Sequence, residues 1–151
     1  MLAFRLHCLS FAMSIPESFQ SRSFRLSLEI LRFYRTLLQA TDLPRHLANQ
    51  MLRAGTAIGA NLEEAKSAYS RRDLASKYAI SLREGRECHY WLRLIKADQP
   101  QLSQEVDALL DECNQLIAVL TTTVRKLRAA TIKTVVTSVL LLLTSGFLLL
   151  T

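Results

Sequence analysis

Apolar side chains recur at helical spacing from the first third of the chain onward. Leu26, Ile30, Phe33 and Leu37 step by four, three and four, which puts them on one stripe of an α-helix. The spacing predicts a first helix over Ser21–Ala40, stopped by Thr41-Asp42-Leu43-Pro44. Asp42 is placed to cap a second helix, and Pro44 suits its first turn. That second helix is predicted over Pro44–Tyr69. Its seam is Leu47, Met51, Ala54, Ile58, Leu62, Ala65 and Tyr69, close to a coiled-coil pattern. Polar Ser70-Arg71-Arg72-Asp73 then breaks the chain. A third helix is predicted over Asp73–Ala97, with Leu74, Tyr78, Ile80 or Ser81, Cys88, Trp91, Leu92 and Ile95 on or near its apolar side. Asp98-Gln99-Pro100 closes it. A fourth begins near Leu102, with Ser103 or Asp98 as candidate caps and a stripe through Val106, Leu109 or Leu110, Cys113, Leu116 or Ile117, and Leu120. Its acids come first and its bases last, which suits the helix dipole. Four long helices joined by short loops predict an all-α, up-down-up-down four-helix bundle over residues 20–130.

The second helix carries two glycines four residues apart, Gly55 and Gly59. Each costs about 1 kcal/mol relative to alanine in a helix interior. Both lie on the apolar side, in a row with Ala48, Leu52 and Leu62, where a missing Cβ lets a neighbouring helix come close. The competing reading is a close approach to a ligand. A phosphate-binding glycine loop, however, follows a strand and carries a Lys-Ser/Thr pair, and neither is present.

The two ends differ from the middle. Residues 1–19 form an expected flexible leader. Its apolar part is interrupted by Arg5 and His7, unlike the unbroken run of a signal peptide, and Met13 is an alternative start. Residues 134–151 carry no charge. As a helix they would span about 27 Å, just short of a hydrocarbon core of about 30 Å. Basic Arg125, Lys126, Arg128 and Lys133 flank them on the side expected to face the cytoplasm. This apolar tail reads as a transmembrane anchor, as a helix end buried in an oligomer, or as an inaccurate end of the reading frame.

Composition agrees with an all-helical chain: half of the 151 residues are hydrophobic and only 4 Gly and 3 Pro interrupt them. The three cysteines, Cys8, Cys88 and Cys113, form no C-x-x-C pair, which favours a reducing compartment and a cytoplasmic protein over a disulfide framework. No enzyme site is legible. Cys88 and His89 are adjacent, so as helix neighbours they do not face each other. The histidines have no metal-ligand spacing. Glu63 and Glu64 lack the Glu-x-x-His units of a di-iron bundle. No catalytic residue, metal or cofactor is expected.

Charge adds a partner. The formal net charge is +6, and residues 1–97 hold 15 basic against 8 acidic side chains. Arg22, Arg25, Arg32 and Arg35 step by three, seven and three along the first helix. Arg83, Arg86, Arg93 and Lys96 repeat those steps along the third. Each set falls on one helix face, and Arg71 and Arg72 add charge at the expected loop tip. Parallel first and third helices would let the two stripes point the same way or flank a common groove. Such stripes fit contacts with a phosphate backbone. The rival reading is a solvated face on which Glu29, Glu84 and Glu87 pair with these arginines.

Gln50–Ile95 resembles the four-helix bundle family of 23S rRNA intervening-sequence proteins. The resemblance rests on "AIGANLEEA" in the second helix, on Leu74, Lys77, Ile80, Leu82 and Glu84 in the third, and on Glu87, Tyr90, Trp91 and Leu92 after them. It extends more weakly over residues 20–130. The group is similar to the accessory variability determinant proteins of diversity-generating retroelements. The resemblance implies a non-catalytic bacterial protein, a homopentameric ring, and a basic surface that associates with RNA or another nucleic acid and, by analogy, with a reverse transcriptase. The apolar tail departs from the family pattern and keeps open the alternative of a scaffolding oligomer anchored to a membrane.

Overall fold

The structure, a computed structural model, describes the backbone of residues 18–148 and the side chains of residues 18–130. Residues 1–17 of the expected leader, with Met13, lie outside the described residues, as do the side chains of the apolar tail; Ser18 and Phe19, expected in the leader, belong to the start of α1. Four helices follow one another: α1 (Phe19–Ala40), α2 (Arg45–Ala65), α3 (Arg71–Asp98) and α4 (Ser103–Leu148), with a 3-10 turn at Pro100–Leu102 leading into the last. No strand occurs among the described residues.

The local chemistry explains most of the ends. Ser18 caps α1 by accepting a hydrogen bond from the Ser21 amide at 3.1 Å, and Ser70 caps α3 in the same way with the Asp73 amide. Ser70 sets the start of α3 at Arg71, so Arg71 and Arg72 form its first turn and do not sit at a loop tip. The expected cap on α2 does not form: Pro44 occupies the position and Asp42 caps nothing there. Gln99 Nε2 donates to Asp42 Oδ1 at 3.5 Å instead. Ser103 likewise turns its hydroxyl back to the Pro100 carbonyl. α2 ends at Ala65, four residues before the predicted end, and Tyr69 stands in the following link with 91% of its surface exposed.

Each helix buries one stripe, as its spacing dictates. Leu26, Ile30 and Leu37 of α1 meet Met51, Ile58 and Leu62 of α2, Cys88, Leu92 and Ile95 of α3, and Val106, Leu116 and Leu120 of α4 in one core. Neighbours in sequence are neighbours in space, and α4 returns to close against α1. α1 and α3 therefore lie across a diagonal. Both basic stripes border α4, where Arg22 and Arg25 reach Glu112 and Lys96 reaches Asp107. As a 46-residue helix, α4 is about 69 Å long and outruns α1, at 22 residues about 33 Å.

The glycines are in the helix interior for closeness. No described residue has a positive φ, so conformational freedom is not their use. A Cβ on Gly55 would lie 2.9 Å from Ile30 Cγ2 and 3.3 Å from Cys88 Sγ, inside van der Waals contact. At Gly59 it would meet Ser27 Oγ at 3.0 Å and the Ser23 carbonyl oxygen at 3.4 Å. Gly55 is buried. Gly59 also floors a surface groove of about 470 Å³ between α1 and α2, with Ser23, Phe24, Thr56 and Ala60 along its walls. Gly55 thus packs against Ile30 of α1 and Cys88 of α3, while Gly59 lies at both the helix contact and the groove.

Candidate nucleic-acid interface

The basic residues divide according to which acids reach them. On α1, the Arg22 guanidinium is bidentate on Glu112 of α4, with Nε and Nη2 each 3.0 Å from a carboxylate oxygen, and also donates to Gln115. Arg25 reaches the same carboxylate at 3.6 Å and Glu29 at 4.0 Å. These two arginines pin α1 to α4. Arg32 and Arg35 are exposed and make no ion pair among the described residues. Arg32 nevertheless shares a shallow groove with Glu29 and Glu105, which offsets its charge locally.

On α3 the outcome is different. Its two mid-helix acids face α2. Glu87 takes a hydrogen bond from Arg53 Nη2, and Glu84 lies 3.6 Å from Arg53 Nη1. One oxygen of Glu84 is buried with no hydrogen-bond donor among the described residues, so the Arg53 charge is what compensates it. With both acids committed across the helix pair, Arg83, Arg86 and Arg93 remain exposed and without an ion pair among the described residues. Lys96, at the end of the stripe, pairs with Asp107. Arg71 and Arg72 are exposed in the first turn of α3, where the helix dipole disfavours positive charge. Asp73, in the same turn, offsets part of that cost.

Arg53 holds the Glu87 carboxyl below the usual glutamate range, chiefly through its hydrogen bond. The stability this pair contributes is present above the ordinary glutamate pKa and is lost as pH falls below it. Thermal melts taken between about pH 7 and about pH 3 should show a shallower acid-side decline in Glu87→Gln than in the wild type. Equal acid-side declines would show that the pair adds nothing.

Side chains that could have carried chemistry are otherwise occupied. Glu63 pairs with Lys66, and Glu64 with Lys77 of α3. Cys88 is buried beside Cys113, and the neighbouring thiol, with burial, pushes the Cys88 thiol well above the ordinary value. That is the reverse of an activated nucleophile. Cys113 donates to the Gly85 carbonyl at 3.4 Å. Among the described residues no cluster of His, Cys, Asp or Glu could hold a metal ion. No helix among them is long and apolar enough to cross a membrane.

Sequence reasoning missed two members of this surface. Arg53 draws both acids off the α3 stripe. Tyr90 stands between Arg86 and Arg93 with 55% of its surface exposed. Its offsets of four and three from those arginines put it on their face, a signal already legible in the spacing.

The fold and surface define an all-α bundle with exposed arginines along α3. The model of the 23S rRNA-intervening sequence protein family matches residues 18–122, and the chain belongs to that family. Its fold is similar to the crystal structure of a Bacteroides thetaiotaomicron protein of unknown function from the S23 ribosomal protein family. The two are 27% identical with a TM-score of 0.67, over 71% of this chain and 98% of that one. No curated protein matches the chain.

Proposed function

We propose that this protein is a non-catalytic, oligomeric bundle that binds RNA or another nucleic acid through its basic helix faces. One observation carries the reading: Glu84 and Glu87 are taken by Arg53, which leaves Arg83, Arg86 and Arg93 as exposed cations on one face of α3. Arg32, Arg35, Arg71 and Arg72 extend the cationic surface. Such a surface reads phosphates and shape with little base selectivity. Assembly into a homo-oligomer would repeat the stripe and raise its avidity. Phe24, 71% exposed beside the groove at Gly59, is the apolar contact such an assembly would use. The pentameric number, a bacterial cytoplasmic setting and a reverse-transcriptase partner rest on the family resemblance.

Filter binding across salt tests the reading. Binding should be detectable at about 50 mM salt and fall steeply by about 200 mM, as released counterions require. No binding at low salt, or affinity independent of salt, would refute it. The uncharged stretch 134–151 favours a second reading, a scaffold anchored by its tail. Membrane fractionation of the full chain against one ending at Lys133 separates the two: only an anchor moves to the soluble fraction on truncation.

A further inference from the structure

Tyr90 is held in an unusual way for an exposed side chain. The Trp91 indole donates to Glu87 at 3.4 Å, and Glu87 is itself gripped by Arg53. The Tyr90 ring meets Trp91 edge to face, with centroids 5.1 Å apart and an interplanar angle of 73°. A chain of contacts from α2 thus steadies an aromatic ring that stays more than half exposed. Arg86 lies one helical turn before it and Arg93 one turn after, both exposed and without an ion pair among the described residues. Arg83 continues the line, and Arg83 to Arg93 covers about 15 Å of helix axis. Cations spaced along a line with a fixed aromatic face between them are the two components of single-strand recognition: phosphates follow the charges and a base stacks on the ring.

We infer that the Arg83–Arg86–Tyr90–Arg93 face of α3 is a binding site for single-stranded nucleic acid, with Tyr90 as the stacking platform for one unpaired base. This rests on the nucleic-acid reading above and narrows it. In a duplex each base is already covered by its stacked neighbours, so Tyr90 has nothing to stack on and only the arginines engage. An anionic strand is the occupant that the charge of the face selects. Tyr90 lies outside the core, so its truncation leaves the buried stripe of α3 intact.

The test uses the full-length protein with an unstructured 12-nucleotide RNA and the same RNA annealed to its complement. Tyr90→Ala should weaken single-strand binding by roughly 5- to 150-fold, the range for one lost stacked base, and leave duplex binding and the salt slope unchanged. Tyr90→Phe keeps the ring and should bind within about twofold of the wild type. Trp91 is the single tryptophan of the chain, so its emission reports directly on the neighbouring ring. It should change when the single strand binds and stay constant with the duplex. If Tyr90→Ala binds single strands as well as the wild type, or loses single strand and duplex equally, the stacking site is overturned while the cationic surface stands. If the wild type binds neither RNA at low salt, the broader reading and this one fail together.

Discussion

Gly55→Leu is expected to lower the stability of the bundle by about 3 kcal/mol, seen as a drop in Tm of about 6–12 °C for a chain of this length. The reason is geometric. The first carbon of any side chain at this position would stand 2.9 Å from Ile30 Cγ2. Ile30 is fully buried and branched at Cβ, so it cannot swing aside within its rotamer. Cys88 closes the other side at 3.3 Å. Leucine gains about 1 kcal/mol in helix propensity over glycine, which is too little to offset the displacement of two helices. Gly59→Ala provides the contrast. There the nearest atom is the Ser27 hydroxyl at 3.0 Å, which can rotate, and the groove leaves room beside it. That variant should stay within about 0.5 kcal/mol of the wild type, because the propensity gain and the small contact nearly cancel. Urea unfolding of the two variants checks the order. Equal effects at the two positions would show that α1 and α2 do not close on Gly55 as described.

The second large effect concerns binding. Substituting Arg83, Arg86 and Arg93 together by glutamine should weaken nucleic-acid binding on the order of 10- to 100-fold at low salt. These arginines make no ion pair among the described residues, and Arg83 acts on Glu87 only through its charge, so the bundle should stay within about 0.5 kcal/mol of the wild type in the same urea titration. Arg22→Gln should do the opposite. It removes the bidentate partner of Glu112, whose side chain is only 15% exposed, and should cost about 1–3 kcal/mol of stability with little change in binding. The two variants therefore separate a cation that holds the fold from cations that face a ligand. Both kinds occur in the stripes that the spacing singles out.

That division shows where the sequence stops being legible. The buried stripes of all four helices follow from three- and four-residue steps, because burial and helical period are local consequences of the pattern. Helix ends were harder to read, since competing caps differ by about 1 kcal/mol and tertiary contacts decide between them. Asp42 and Ser103 are both good capping residues, yet one accepts from Gln99 and the other turns back to Pro100. Tyr69 fits the seam of α2 by number, but α2 stops before reaching it. For the charged faces, spacing tells which arginines share a side. It does not tell which acids will meet them, because Arg53 and Glu87 are 34 residues apart in the chain and Arg22 and Glu112 are 90 apart. The diagonal placement of α1 and α3 is likewise a property of the assembled bundle. Neither helix alone reveals that α4 stands between the two stripes.

The salt dependence of binding, measured side by side for the wild type and the Arg83→Gln/Arg86→Gln/Arg93→Gln variant, tests the role of the exposed α3 cations most directly. Each phosphate contact on a single strand contributes about 0.7 to the slope of log affinity against log salt. A steep negative slope is expected for the wild type, and one shallower by about 2 for the variant. A flat wild-type line, or two lines of equal slope, would contradict it.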